Sequence, residues 1–147
     1  MSASHNFSAA DIVKANIKGI KRGLNICMIE LESLLIKKLS HKGTGKIYVV
    51  NGIKRQASAP GEPPAPQTGA LRRSVGVQAT PLENSKEVTL RMKPLKEYAV
   101  HLEYGTKYMD PRPFIAPCIK ELLPNVAQII GNQMTKATEE LITRNKP

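Results

Sequence analysis

Histidine, cysteine and carboxylate side chains are the groups in this chain that could act as acids, bases, nucleophiles or metal ligands. His5, His41 and His101 are isolated, and none has a second histidine at the spacing of a metal site. Cys27 and Cys118 each lie in an apolar, helix-like stretch without a second cysteine at metal-ligand spacing. We therefore expect two small buried thiols in a reducing compartment, with no zinc site and no disulfide framework.

Motifs for catalysis are not evident. His101 and Glu103 could form an acid and base pair, but side chains two apart on a helix point to different sides. No serine or cysteine lies in a nucleophile-elbow sequence, and Gly43-Thr44-Gly45-Lys46 lacks the spacing of a phosphate-binding loop. We expect a protein that is not an enzyme and that uses no cofactor and no metal.

The charge of the chain is basic and unevenly distributed. There are 22 Lys and Arg residues against 12 Asp and Glu residues, and residues 1–73 hold 12 of the basic and 4 of the acidic side chains. Such a surface favours nucleic acid, an acidic protein or anionic lipid as a partner. A candidate surface for DNA or for an acidic partner consists of Lys14, Lys18, Lys21 and Arg22. No strand alternates aromatic with basic residues, so only a sequence-independent phosphate contact is indicated.

Apolar spacing predicts a long first helix that begins after Ser8 and runs to about Leu39. A seam of apolar residues, three and four apart, should form its buried face; it consists of Val13, Ile17, Ile20, Leu24, Cys27, Leu31 and Leu34. Gly19 and Gly23 lie beside this seam, where they either admit another backbone closely or are merely tolerated. Either the C-terminal helix or a neighbouring subunit should cover the length of the seam.

The rest of the chain predicts strands, a loop and a second long helix. Residues 47–50 form a short strand before an Asn-Gly turn, and residues 56–69, with four prolines, form an extended loop. Period-two alternation on both sides of residues 81–86 predicts an antiparallel hairpin. Residues 96–104 form a short helix capped by Gly105, and a long helix starts near Ile115, with a kink or interruption at Pro124.

Together these elements predict an α+β fold with a long N-terminal helix and a central antiparallel sheet of three or four strands. The sheet carries the long Pro-rich loop, and the C-terminal helix packs on the sheet. We expect one domain over residues 1–147 with flexible ends at 1–7 and 144–147. A secretory signal and a membrane span are not indicated, because no apolar run is long enough.

Two segments of the chain resemble a known family. The first is Ser-Ala-Pro-Gly-Glu-Pro-Pro-Ala at 58–65, followed by Thr-Gly-Ala-Leu-Arg-Arg-Ser-Val at 68–75. The second is Tyr-Ala at 98–99, Glu-Tyr-Gly-Thr at 103–106 and Arg-Pro-Phe-Ile at 112–115, with Pro117. In order and spacing they are similar to the two signatures of the head-to-tail joining proteins, also called tail-completion or minor tail proteins, of long-tailed double-stranded DNA bacteriophages.

The resemblance implies a structural virion protein that is made in the cytoplasm of the host bacterium. It would form a ring, expected to be a hexamer, at the tail top or neck around the genome channel. Its partners would be copies of itself, the adjoining head-closure or connector proteins, the tail-tube proteins and, without sequence specificity, the genomic DNA. The alternative that remains open is a cytosolic, sequence-independent nucleic-acid-binding protein that uses the basic first helix.

The resemblance also implies two sets of site residues. The family's interaction loop carries over as Pro60, Gly61, Pro63, Pro64, Thr68, Gly69, Leu71 and Arg72. Its corner motif carries over as Glu103, Gly105, Thr106, Arg112, Pro113 and Phe114. We expect the loop to reach a neighbouring subunit or an adjoining ring, since a proline-stiffened loop loses little entropy on docking. Leu71 and Phe114 are expected in the core.

Overall fold

The computed structural model describes residues 7–81, 88–93 and 95–145, and it mixes helices with strands. In chain order the elements are α1 (Ala9–Lys38), β1 (Ile47–Val50), β2 (Ile53–Gln56), α2 (Ala70–Ser74), β3 (Val77–Pro81), β4 (Val88–Met92), α3 (Ala99–Tyr104) and α4 (Ile115–Arg144). The long first helix, the strands at 47–50 and on both sides of 82–87, and the long last helix are confirmed. Of the expected flexible ends, residues 1–6 and 146–147 lie outside the described residues, whereas Arg144 still belongs to α4.

The start of α1 is a reciprocal hydrogen-bonded cap. The Ser8 hydroxyl accepts the backbone N–H of Asp11, and the Asp11 carboxylate accepts the backbone N–H of Ser8 at 2.9 Å. These bonds lower the pKa of Asp11, first of all through the backbone N–H of Ser8. The predicted helix start is therefore confirmed, and the helix ends with Leu39 as its C-terminal cap, as expected.

Helices α1 and α4 pack against each other in antiparallel directions over most of their length. Gly19 lies against Met134 and Gly23 against Ile130; a Cβ atom on either glycine would come within 2.5 or 2.7 Å of the facing Cα atom. Real Cβ atoms do not approach so closely, so these glycines admit the backbone of α4. Of the two readings of this glycine pair, close backbone approach is the one that the structure supports.

The buried face of α1 differs from the predicted apolar seam in its first half. Val13 and Ile17 are 57% and 41% exposed, whereas Ala15 is buried together with the two glycines. Small side chains occupy the interface because α4 lies too close for branched ones. From Cys27 onward the seam is largely as expected, with Leu31 buried and Leu35 in place of Leu34 as the innermost position.

The strands form two separate antiparallel hairpins. In the first, Val50 pairs with Ile53 across a turn in which Asn51 and Gly52 both have positive φ angles, 49° and 76°. In the second, β3 pairs with β4, and the connecting residues 82–87 lie outside the described residues. Within the described chain the strands form two two-stranded sheets and not the expected single sheet of three or four strands.

The main core lies where the C-terminal half of α1 meets the start of α4 and the short helices. Leu35, Phe114 and Cys118 are fully buried, and Leu71 and Ala99 pack with them. The C-terminal helix therefore packs mainly on α1, whereas the sequence predicts that it packs on the sheet. Leu71, after the Pro-rich loop, and Phe114, in the corner motif, both belong to this core.

Helix α4 continues through its internal proline without interruption. Pro124 is exposed, and the helix is unbroken from Ile115 to Arg144, so the expected interruption does not occur. Pro117 lies in the first turn, where a helix has no internal partner for a backbone N–H. Among the described residues, no helix is long and apolar enough to cross a membrane.

Candidate functional site

A groove of about 420 Å³ opens between the Pro-rich loop at 56–69, the hairpin β1–β2 and the short helices α2 and α3. We call it the loop groove. Its wall is largely apolar and includes Tyr48, Pro64, Ala65 and Leu71. Two arginines, Arg72 and Arg112, also line it. The two segments that carry the family resemblance thus line one concave surface.

The loop is folded back on the body of the molecule by a single carboxylate. Glu62 accepts hydrogen bonds from the backbone N–H of Thr44 at 3.0 Å, from the Thr44 hydroxyl, and from the backbone N–H of Ala59 at 2.9 Å. These donors, with the Thr44 hydroxyl first, lower the pKa of Glu62 to about 2. Glu62 is therefore ionised at neutral pH and holds the loop against the residues before β1.

The start of the loop extends the first hairpin by backbone pairing. The Gly45 N–H donates to the Ala57 carbonyl at 2.8 Å, and the Ala57 N–H donates to the Lys46 carbonyl at 3.0 Å. A Cβ atom on Gly45 would lie 2.7 Å from the Ser58 carbonyl oxygen, so glycine is required there. The Gly-Thr-Gly run, which lacks the spacing of a phosphate loop, thus serves close packing.

The far end of the loop is held by side chains of β2 and of the loop itself. Arg55 donates from Nη1 to the Gln67 carbonyl at 3.0 Å, and the Gln67 amide donates to the Gln56 carbonyl at 2.8 Å. Pro64 is buried, while Pro60 and Gly61 at the tip are exposed. The loop is therefore a fixed wall with an exposed tip.

The two signature segments touch each other directly. The Gly61 N–H donates to the Pro111 carbonyl at 3.0 Å, and Arg112 donates from Nε and Nη2 to the carbonyl of the buried Ser58 at 3.3 and 3.2 Å. The partners are 54 residues apart in the chain for the Arg112 bonds. The structure therefore brings the loop and the corner motif together at one end of the groove.

The corner motif builds the start of α4. The buried carboxylate of Glu103 accepts the backbone N–H groups of Phe114, Ile115 and Ala116 at 2.8 to 2.9 Å. Such groups have no partner within the helix, and the N-cap residue of α4 provides no side-chain hydrogen bond. Glu103 therefore caps a helix from a distance, which sequence reasoning missed because nothing in the local sequence marks the pairing.

The turn before that cap requires a glycine. Gly105 has a φ angle of 77°, and a Cβ atom there would lie 2.8 Å from the Met109 carbonyl oxygen. The Thr106 N–H donates to the same oxygen at 2.8 Å, which closes a tight turn at the exposed Tyr108. The expected cap of α3 by Gly105 is confirmed, although α3 begins at Ala99 and is shorter than predicted.

The remaining predicted site residues divide into core, partly buried and exposed positions. Leu71 and Phe114 are buried in the core, as expected. Pro63, Gly69, Arg112 and Pro113 are partly buried, and Thr68, Arg72 and Thr106 are exposed. Arg72 points one donor at the Ser40 hydroxyl at 3.2 Å. Of the predicted site residues, those that line the loop groove are Pro64, Thr68, Gly69, Leu71, Arg72 and Arg112.

The basic residues of α1 are divided between the helix interface and solvent. Lys18 and Arg22 form ion pairs with Glu140 of α4 at 3.1 and 2.6 Å, and these pairs lower the pKa of Glu140, with the Arg22 hydrogen bond first. Lys14 and Lys21 are exposed on the same helix. Half of the candidate cationic surface is thus already paired within the chain.

The cysteines of the chain are buried, and the histidines among the described residues are exposed. Burial raises the pKa of Cys27 and of Cys118, so neither thiol is a thiolate at neutral pH, and both are buried as predicted. His41 and His101 are exposed and are far apart in the sequence, and His5 lies outside the described residues. Within the described part of the chain, no three His, Cys, Asp or Glu side chains could hold a metal ion.

Comparisons with known proteins give no relative for this arrangement. A scan against models of protein families finds no match to the chain. No curated protein and no solved structure is similar to it either. A function for the chain therefore rests on the residues and contacts described above.

Proposed function

We propose that this chain is a structural virion protein of a tailed bacteriophage. It forms a ring, expected to be a hexamer, at the tail top or neck, completes the tail and joins it to the head-side connector. The observation that carries the proposal is the pair of sequence segments that resemble the joining-protein signatures and that meet through Gly61, Pro111, Arg112 and Ser58. Segments far apart in sequence that form one surface are what a shared binding role requires.

The exposed first hairpin supports self-association. Ile47, Val49 and Ile53 are 57 to 67% exposed, and Tyr48 and Val50 are also exposed. A two-stranded hairpin with open edges is only marginally stable alone and is a template for further strands. Pairing of an open edge with the hairpin of a neighbouring copy would create a four-stranded sheet, in line with the three or four strands that the sequence predicts. Packing of a face of this sheet against the neighbouring copy would cover the exposed side chains.

The loop tip and the groove supply a second contact surface, toward an adjoining ring. Pro60 and Gly61 are exposed at the tip, and Glu62 directly after them ties the loop down. A tip that is already rigid loses little entropy when it docks. In this proposal the chain is made in the cytoplasm of the host bacterium and its final location is the virion.

The test is electron microscopy of particles from cells in which only this gene is disabled. Separate full heads and tails, or tails of abnormal length, are expected because the joining ring is missing. A wild-type copy supplied in trans should restore joined virions and is the control for effects on neighbouring genes. Normal joined virions from the disabled strain would overturn the proposal.

Sequence-independent nucleic-acid binding is the second candidate function, and the exposed Lys14 and Lys21 favour it. Each phosphate contact contributes about −0.9 to the slope of log affinity against log salt for duplex DNA. Replacing both lysines by Gln should make the slope shallower by about two, whereas Lys120→Gln with Lys136→Gln on α4 should not. Undetectable DNA binding by the wild-type chain at low salt would remove this candidate.

A further inference from the structure

We propose that the loop groove binds an extended acidic segment of a partner protein and takes one apolar side chain of that segment into its interior. The inference goes beyond the ring function, because it names the chemistry of the ligand and holds for the isolated chain. It rests on the shape of the groove, on its charge and on the rigidity of its walls.

The shape and lining of the groove suit an apolar side chain. Its volume of about 420 Å³ lies in the range of pockets that bury a ligand, roughly 300–1,000 Å³. Pro64, Ala65 and Leu71 provide aliphatic surface, and Tyr48 adds an aromatic ring with a polar end. Such a surface gains from covering apolar area, while the tyrosine hydroxyl can meet a peptide backbone.

The charge around the groove selects an acidic ligand. Among the described residues, Arg112 donates to the backbone carbonyls of Ser58 and Asp110 and Arg72 to the Ser40 hydroxyl, so in this part of the chain neither guanidinium has a hydrogen-bonded carboxylate. Residues 41–73, which build the hairpin and the loop, contain six Lys and Arg and one carboxylate, Glu62. That carboxylate is engaged with Thr44 and Ala59, so a carboxylate from a partner would complement the surface.

The walls of the groove are held by hydrogen bonds within the chain. Glu62 holds the middle of the loop, Arg112 holds its start at Ser58, and Arg55 with Gln67 holds its far end. Binding therefore does not have to order the loop, and the apolar contact can contribute to affinity. A nucleic acid is less favoured, because the lining offers only two cations and is mostly aliphatic.

The test uses synthetic peptides and the purified full chain. The probes are fluorescent decapeptides with one central Leu, Ile, Phe or Tyr flanked by Glu and Asp, next to matched sets with Lys flanks or with a central Gly. At low salt, the best acid-flanked apolar peptide should bind at least tenfold more tightly than its Lys-flanked and Gly-centred counterparts. Equal binding of the three sets would overturn the proposal.

Variants locate the binding site. Arg72→Glu reverses a charge at the rim and Ala65→Trp fills the interior, and each should weaken the best peptide at least tenfold. Lys120→Glu reverses an exposed charge on α4 and is the matched control, which should bind as the wild type does. Unchanged binding in both groove variants would overturn the proposal, as would displacement of the peptide by oligo-thymidylate. Because the peptide is measured on the isolated chain, failure here leaves the particle experiment as an independent test of the ring function.

Discussion

At the scale of single residues, Glu62 is the side chain on which the position of the loop depends. Its pKa is lowered from 4.5 to about 2 because the folded state offers three donors to its carboxylate. A carboxylate with a lowered folded-state pKa stabilises the protein above its unfolded pKa, and this contribution is lost as the pH falls through the folded value. For Glu62 the window of loss is therefore between about pH 4.5 and 2.

Replacing this residue should show that window directly. Glu62→Gln keeps the size of the side chain and removes the charge, so it should unfold at a lower urea concentration than the wild type at pH 7. The difference between the two proteins should shrink from pH 4.5 toward pH 2, measured by urea unfolding at each pH, because the wild-type carboxylate becomes protonated.

The matched control is Glu139→Gln on the exposed face of α4, which should follow the wild type throughout the pH range. Because Glu62→Gln changes a single carboxylate, the pH dependence of the difference between the two proteins reports on Glu62. A constant difference between pH 7 and pH 2 would show that the bonds to Glu62 act without its charge.

At the scale of elements, the α1–α4 pair is organised by glycine. Adding a methyl group to Gly19 places it 2.5 Å from the Met134 Cα, which the facing backbone cannot avoid without moving. The same methyl group on Gly131 meets nothing within 4 Å. The two positions therefore separate the packing effect from the helix propensity of alanine, which is better than glycine by about 1 kcal/mol.

Gly19→Ala should destabilise the protein by about 1–3 kcal/mol, since overpacking outweighs the gain in propensity. Gly131→Ala should stabilise it by about 1 kcal/mol, because the side chain is unopposed in the middle of a helix. Urea unfolding at pH 7 measures both changes. Equal stabilisation by the two substitutions would mean that α4 can move away from Gly19 at no cost.

The same helix pair shows how far the sequence predicts these elements. Regular apolar spacing is enough to predict α1 and α4. It also assigns Val13 and Ile17 to the buried face of α1, because it considers only hydrophobicity and not the size of the side chain. The interface instead selects small residues, because the helices approach at Gly19 and Gly23. The sequence does not predict strand β2, because Lys54 and its neighbours are polar. The strand forms by pairing with β1 across the Asn-Gly turn.

The candidate site was predictable only in part. The proline content marks the loop, and the resemblance marks the corner. Their contact through Arg112 and Ser58 spans 54 residues, and the Glu62 bonds to Thr44 span 18. Bonds between distant residues leave no periodic signal in the sequence, so the sequence predicts an extended loop but not its attachment to the body of the molecule.

At the scale of the whole molecule, two properties act on association in opposite directions. The net charge of +10 repels copies of the chain from one another, while the exposed apolar hairpin attracts them. Salt screens the repulsion but leaves the apolar contact. Self-association should therefore strengthen with salt, whereas binding to DNA or to an acidic peptide should weaken.

This difference leads to a prediction for the hairpin. The wild-type chain should associate as its concentration rises, and more strongly at 500 mM than at 50 mM salt, as measured by light scattering after size exclusion. Ile47→Thr with Val49→Thr keeps side chains suited to strands and removes two apolar contacts on one face. Because each buried aliphatic side chain contributes roughly 1.5–3 kcal/mol, the double variant should associate at least 100-fold more weakly.

The control is Ile29→Thr, an equally exposed isoleucine on α1, which should leave association as in the wild type. The hairpin variant should retain the wild-type unfolding midpoint to within the small effect of surface substitutions, because Ile47 and Val49 contact little of the core. A chain that stays monomeric at every protein and salt concentration would contradict a hairpin-mediated contact. Association that Ile29→Thr weakens as much as the hairpin variant does would contradict it too. Association that depends on the hairpin alone and grows with salt would place the apolar contact between copies of the chain. The loop groove would then be free for a different partner.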